Sequence, residues 1–315
     1  ENLQKQYSIQ LPTTPGMDTM ACMQAALEGK VDLAFLLGGN LYQSNPNSHF
    51  AEQSLQKIPC TVYLTTTLNK GHLFGSGEES FILPVAARDE EKQPTTQESM
   101  FNFVRMSDGG IVRLKNIRSE VDIISDIASK VLTSSPIDFR EFKNHQAIRK
   151  VIAKIVPGFE KMETIDQTRE EFHIAGRVFH EPQFSTPNYK ANFKAIPIPP
   201  LKGDIGEFCL MTIRSEGQFN SIIYDEEDIY RGQTQRDIVL MNLEDIQKKG
   251  LQPNDRVTVI SKTGKLEHIL LREFDIPVGN VAMYFPEANI LVPAVMDGKS
   301  KTPSFKSLSV KIIAE

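Results

Sequence analysis

The sequence predicts an open α/β sheet followed by a closed β-barrel. Three observations carry that expectation. Over residues 15–40 a helix, an almost continuously apolar strand and a Gly-Gly-Asn succeed one another, and a second strand over 60–64 again ends in small polar residues. Prolines at 157, 182, 187, 197, 199 and 200 then mark a change of composition. Beyond residue 201 short strands recur at regular spacing with little helix, the pattern of a closed barrel of roughly six or seven strands.

The elements follow in order. Asp18 caps a helix whose Met20, Met23, Ala26 and Leu27 share one face, and Gly29 ends it. Val31–Leu37 reads as a buried parallel strand running into Gly38, Gly39 and Asn40. Glycines after a strand make either a plain turn or a place where backbone approaches a phosphate. A short helix over 49–56 precedes the strand Cys60–Leu64, which ends in Thr65-Thr66-Thr67-Leu68-Asn69-Lys70-Gly71-His72. Ser80–Val85 is a third strand, stopped by Pro84, and the charged run 88–92 that includes Glu90 and Glu91 reads as solvated. Phe103–Ser107 is a strand closed by Asp108-Gly109. Ser119 caps a helix with the apolar stripe Val121, Ile124, Ile127, Ala128 and Val131. A further helix, about 139–155, turns Phe142, Ile148, Ile152 and Ile155 inward and leaves His145 at the surface. We place a domain of residues 1–157, a crossover linker of 158–201 and a barrel of 202–315. Within the barrel, Asn242 caps a short helix stopped by Gly250; Asp255–Ser261, Leu266–Leu271, Val281–Phe285 and Lys306–Ile313 are strands.

Composition narrows the class. The chain of 315 residues has a net charge of −5, which gives no general attraction to nucleic acid. No apolar run reaches a membrane span, and the polar N-terminus is no signal peptide. Cys22, Cys60 and Cys209 are scattered without a C-x-x-C, so a reducing, cytoplasmic setting is expected and no thiolate metal site lies in this stretch. The first residue is not Met, and we expect a piece of a longer protein. No nucleophile elbow and no spaced His/Asp/Glu metal set occurs.

The stretch with most chemistry is Cys209–Gly232. An apolar strand gives way to Arg214-Ser215-Glu216-Gly217-Gln218-Phe219-Asn220, a guanidinium, a hydroxyl and two amides suited to an anionic ligand rich in hydrogen-bonding groups. Thr212 adds a hydroxyl, and Tyr230-Arg231-Gly232 repeats the chemistry. The neighbouring acids Glu226, Glu227 and Asp228 read as solvated. His72 is either a proton carrier or a structural hydrogen-bond partner.

Asp245–Gly264, DIQKKGLQPNDRVTVISKTG, resembles the helix-then-strand pattern of the molybdopterin-dinucleotide-binding domain that closes oxidoreductases of the dimethylsulfoxide-reductase superfamily. Thr212–Asn220 is similar to that domain's cofactor loop and Pro286–Asn289 to its later cofactor-facing turn. Gly38–Asn40, Leu68–His72 and Ile82–Pro84 are similar to the preceding domain, and Arg231 with 101–109 to the formate-dehydrogenase-like alpha subunits. The resemblance implies a partial α/β Rossmann-like domain followed by a double-psi β-barrel. It implies a molybdopterin-dependent oxidoreductase with two molybdopterin guanine dinucleotides per molybdenum. The metal ligand and any 4Fe-4S cluster would lie in a missing N-terminal half, so the isolated fragment is expected to be inactive. By the same resemblance the partners are the cofactor, that N-terminal half and a redox partner subunit. The cofactor-binding residues it implies are Gly38, Gly39, Asn40, Thr66, Asn69, Thr212, Arg214, Ser215, Gln218, Asn220, Arg231, Asn289 and Lys306, with no catalytic and no metal-ligating residue. The aspartate frequent in the family at the second strand end is absent; Thr65–Thr67 stand there, with Asn69 nearby. The competing expectation is a stand-alone nucleotide- or partner-binding module without redox activity.

Overall fold

The structure is a computed structural model that describes residues 1–175, 182–198, 206–218 and 224–315. The predicted alternation of helix and strand folds as a small sheet. Asp18 caps helix Thr19–Leu27 by accepting the N–H of Ala21 at 2.9 Å. Strand β1 (Leu33–Leu37) runs parallel to β2 (Cys60–Thr65), pairing Leu33 with Cys60 and Leu37 with Leu64. β3 (Glu79–Pro84) completes the order β1-β2-β3. Met23, Ala26, Ala51, Leu55 and Ile58 are buried together, with Ala34 of β1 packed against them. β1 is not the buried strand its sequence predicts: Leu33, Phe35 and Leu37 are 58%, 41% and 51% exposed. β1 is an edge strand, and helix packing reaches only the face that carries Ala34.

Residues 1–15 and 84–197 form one compact unit by their contacts, and residues 16–83 and 198–315 another. This grouping differs from a linear division at 157 and 201. In the first unit, β4 (Thr95–Glu98), β5 (Phe103–Ser107) and β6 (Phe172–His173) make an antiparallel sheet in that order. Val104, Phe159, Met162, Ile165, Phe172 and Ile174 form its core, so packed chain continues to Ile174 and the proline-rich crossover starts beyond it. Residues 182–198 contain neither helix nor strand.

Two expectations of solvent exposure fail in this unit: a partner distant in sequence captures His145, and local backbone N–H groups capture Glu90 and Glu91. His145 is buried, with Nδ1 3.3 Å from the carbonyl of Pro94. Arg149 beside it is buried in a bidentate pair with Asp166. Glu90 and Glu91 are half-buried, accepting the N–H groups of Ala87 and Gln93 at 3.0 Å. Conversely Ile124, Ile127 and Val131 of helix Glu120–Val131 are exposed.

The second unit also holds the barrel. β7 (Phe208–Ile213), β8 (Ile238–Met241), β9 (Arg256–Ile260), β10 (Lys265–Glu273), β11 (Asn280–Tyr284) and β12 (Leu308–Ala314) close in the order β10-β8-β11-β7-β12-β9. The pairs β7/β11 and β8/β10 are parallel and the rest antiparallel. Alternation fills the barrel: Leu210, Val239, Met241, Val257, Val259, Leu271, Val281, Met283, Val310 and Ile312 pack in one buried cluster. Each such side chain contributes about 1.5–3 kcal/mol of burial. β8 is buried on both faces, because Ile238 and Leu240 pack on Tyr284, Ala282 and Ile276. As expected, Asn242 caps helix Leu243–Lys248 and Gly250 ends it with φ 68°.

Candidate cofactor site

β7 ends where its residues cease to be apolar, and the groups that follow divide into an outer cationic layer and a buried polar layer. Thr212 is buried, and its N–H and Oγ1 both donate to the carbonyl of Phe305, at 3.2 and 3.0 Å. Its own carbonyl accepts from Lys306 Nζ. Arg214 is exposed and lies over the ring of Phe285, 5.3 Å from the centroid, where the quadrupole attracts a cation. Phe285 stands edge-on to Phe305 at 5.7 Å. Burial, followed by the charge of Arg214, holds Lys306 below the ordinary lysine range. The two cations therefore share one field, and an anion between them relieves their repulsion.

Beneath them lies a buried polar layer, of which reading the sequence singles out Ser215, Gln218 and Arg231 but not Arg236 or the burial of Asp228. Ser215 and Gln218 are buried. Gln218 Nε2 donates to the carbonyl of Phe285 at 2.8 Å, and its Oε1 accepts from the N–H of Ser215 at 3.2 Å. Arg236, 3% exposed, donates to Ser215 Oγ at 2.8 Å, Gln218 Oε1 at 3.1 Å and the carbonyl of Phe285 at 2.6 Å. Its Nε and Nη2 also hold Glu287, at 2.8 and 3.0 Å. Asp228, expected in solvent, is buried: Tyr284 OH and Arg231 Nη1 donate to its Oδ2 at 2.8 and 2.6 Å. Burial raises the Asp228 carboxyl, but the bonds from Arg231 and Tyr284 outweigh it and hold the group below the usual carboxylate range. Burial, then Asp228, pushes the Tyr284 phenol up. Arg231 Nη1 also donates to the carbonyl of Arg214 at 3.0 Å, so it braces the loop. Asn220 lies outside the described residues.

The strand ends of β1 and β2, in the same unit, converge as the sequence predicts. Asn69 Nδ2 donates to the carbonyl of Gly39 at 3.5 Å, and its Oδ1 accepts the N–H of Gly71 at 2.9 Å. A Cβ on Gly71 would lie 2.5 Å from Asn40 Oδ1 and 2.9 Å from Asn69 Oδ1, so glycine is required there by close approach. Asn40 is buried and caps the helix at Leu41 by accepting the N–H of Gln43 at 3.0 Å. Thr66 is exposed. His72 is buried; its Nδ1 accepts the N–H of Asn69 at 3.0 Å, and burial holds it below the ordinary imidazole range, so it is a structural partner of the loop. Asn289 is fully buried, donating to the carbonyls of Gln43 and Asn45 at 2.7 and 2.9 Å. It ties the turn after β11 to the loop after Gly39. Gly39 itself has open space around it but φ +71°. Gly39→Ala is expected to destabilise this unit by about 1 kcal/mol through backbone strain alone, read as a lower urea midpoint with unchanged slope.

Arg236 left one trace in the sequence: a cation two residues before the apolar run Ile238–Met241. Among the described residues no group of three or more His, Cys, Asp or Glu is placed to hold a metal ion. No described helix is long and apolar enough to cross a membrane.

The family model for the molydopterin dinucleotide binding domain matches residues 208–309, which covers β7 to β11, the first residues of β12 and both layers of the loop. An uncharacterized oxidoreductase of Mycobacterium tuberculosis is 31% identical over 98% of this chain and 42% of its own length. The protein YdeP of Escherichia coli is 27% identical over 98% of this chain and 43% of its own. The structure of acetylene hydratase from Pelobacter acetylenicus superposes with a TM-score of 0.70 at 15% identity, over 94% of this chain and 46% of that one, a likeness of fold. The chain thus spans less than half the length of the curated relatives it matches. Residues 208–309 match the molydopterin dinucleotide binding domain, and that match together with these relatives supports a molybdopterin oxidoreductase family.

Proposed function

We propose that the chain is the C-terminal, cofactor-holding part of a molybdenum oxidoreductase that uses a bis-molybdopterin guanine dinucleotide, with formate as the substrate. The observation that carries the cofactor reading is Arg214 over the face of Phe285 at the end of β7, with Lys306 bonded to the carbonyl of Thr212 two residues earlier. Two cations sharing a field, next to an aromatic face, fit a pyrophosphate and its attached ring. Formate rests on the resemblance of Arg231 and residues 101–109 to formate-dehydrogenase-like subunits. When bound, the metal–pterin group would supply the redox chemistry. Arg214 and Lys306 would bind and neutralise its phosphates, Gly39 and Asn69 would offer backbone and amide groups, and the Arg236 and Asp228 networks would hold the loop. The missing polypeptide would supply the metal ligand, a 4Fe-4S cluster and the route to a redox partner, so this chain alone would bind without turning over.

The test is a titration of the 315-residue chain with molybdopterin guanine dinucleotide extracted from a known enzyme, competed with GDP and CDP. Saturable binding that GDP displaces and CDP does not is expected. Absence of binding contradicts the reading. The same titration carries a pH prediction. An anion favours the charged ammonium of Lys306, whose pKa in the free chain lies below its ordinary 10.5, so binding takes up a proton. Affinity is therefore flat below the depressed pKa and falls as pH rises through it. Lys306→Met removes that slope and weakens binding about tenfold at neutral pH.

A further inference from the structure

Arg236 is the best-connected cation among the described residues, and reading the sequence assigns it no role. It lies two residues before β8 and is almost wholly buried. Its guanidinium sits between two aromatic rings, 4.2 Å from the centroid of Tyr224 and 4.8 Å from that of Tyr284. Around its edge it reaches two separate segments. Toward the loop after β7 it donates to Ser215 and Gln218; toward the turn after β11 it donates to the carbonyl of Phe285 and to Glu287. Gln218 closes the circuit by donating to the same Phe285 carbonyl.

The consequence is geometric. Arg214 directly precedes Ser215 in the chain, and the ring beneath Arg214 is Phe285. Arg236 therefore grips the neighbour of the ligand-facing cation with one side of its fork and the backbone of the cation's aromatic platform with the other. It is too buried to touch a ligand on the outer layer. We propose that Arg236 is a positioning residue: it fixes the Ser215–Gln218 loop and the Phe285–Glu287 turn in one arrangement, and so sets the placement of Arg214 for the anionic cofactor. The planar fork spreads five donors over three nitrogens, so Nη1 holds Ser215 and Nε holds Glu287 while Nη2 serves Gln218 and Phe285; an ammonium brings three donors from one point to the same set. The inference rests on the cofactor reading for its ligand but not for its geometry.

The experiment uses Arg236→Lys, which keeps the charge opposite Glu287, with Gln218→Ala and the double variant. Extracted molybdopterin guanine dinucleotide is the probe. Arg236→Lys is expected to bind about tenfold more weakly, the scale of losing one or two charge-assisted hydrogen bonds. Because both residues act on one loop, the double variant is expected to bind no more weakly than the weaker single one. Additive losses, or unchanged affinity in a folded Arg236→Lys protein, overturn the proposal. A second readout needs no cofactor. Trypsin cuts after Arg214, and mass spectrometry reports the rate; Arg236→Lys is expected to raise it about tenfold, as the loop opens locally, while cuts after Arg256 and Arg272 stay unchanged. An unchanged rate at Arg214, or a uniform rise at every site, overturns the proposal. If the wild-type chain fails to bind the cofactor, the cofactor reading falls and the proteolysis result still decides the role of Arg236.

Discussion

Arg214→Ala is expected to weaken binding of molybdopterin guanine dinucleotide by roughly 10- to 100-fold, about 1.5–3 kcal/mol, the range for hydrogen bonds to charged groups. Its thermal midpoint is expected to fall by far less than that of a variant in the buried layer. The two parts of that result follow from where the residue sits. Arg214 is exposed and lies over the face of Phe285, so truncation removes a cation from the ligand side and opens no cavity in the barrel. Thr212, Ser215 and Gln218 around it are the buried members of the same stretch, and they bond to protein: to Phe305, to Arg236 and to Phe285. Thr212→Val should consequently move stability more than affinity, and Arg214→Ala the reverse. Titration calorimetry beside a melting curve separates them. Arg214→Lys should recover only part of the loss, because a point charge replaces a fork.

Asp228→Ala is expected to lower stability by about 3 kcal/mol, since removing one member of a buried charged cluster strands its partners. The phenol of Tyr284 would lose its acceptor in a buried setting, and Arg231 would keep only the Arg214 carbonyl at its Nη1. Chemical denaturation at neutral pH measures this. Asp228→Asn adds a pH signature whose sign is fixed by the depressed carboxyl. The folded-state pKa lies below the ordinary 3.8, so the stabilising contribution is complete above 3.8 and is lost as pH falls through the folded value. The wild type and Asp228→Asn should therefore differ at neutral pH and converge in acid.

The barrel was legible because its information is local. β9, β10 and β12 alternate along the chain, Asn242 and Gly250 bracket one helix, and their neighbours in sequence are enough to place them. The loop after β7 was legible as chemistry: Arg214 lies over Phe285, and Lys306 bonds the carbonyl of Thr212. What could not be read was which polar groups face inward. Asp228 follows two glutamates and looks like part of an acidic surface; its partner Tyr284 is 56 residues away. Arg236 sits between Gln235 and Asp237, and Glu287 that balances it lies 51 residues on. His145 and Arg149 share a helical face with Ile148 and Ile152, and are drawn in by Pro94 and Asp166. β1 failed in the other direction. Its apolar run describes a strand to be covered on both sides, yet these residues supply packing for one side only.

The central claim is that the end of β7, together with the glycine and asparagine ends of β1 and β2, holds a molybdopterin dinucleotide. Hydrogen–deuterium exchange of the 315-residue chain, with and without the extracted cofactor, tests it most directly. Slowed exchange in peptides covering 212–218, 284–289, 38–40 and 69–72, with the rest of the chain unchanged, is the predicted result. Protection confined to residues 84–197, or none at saturating cofactor, would contradict it.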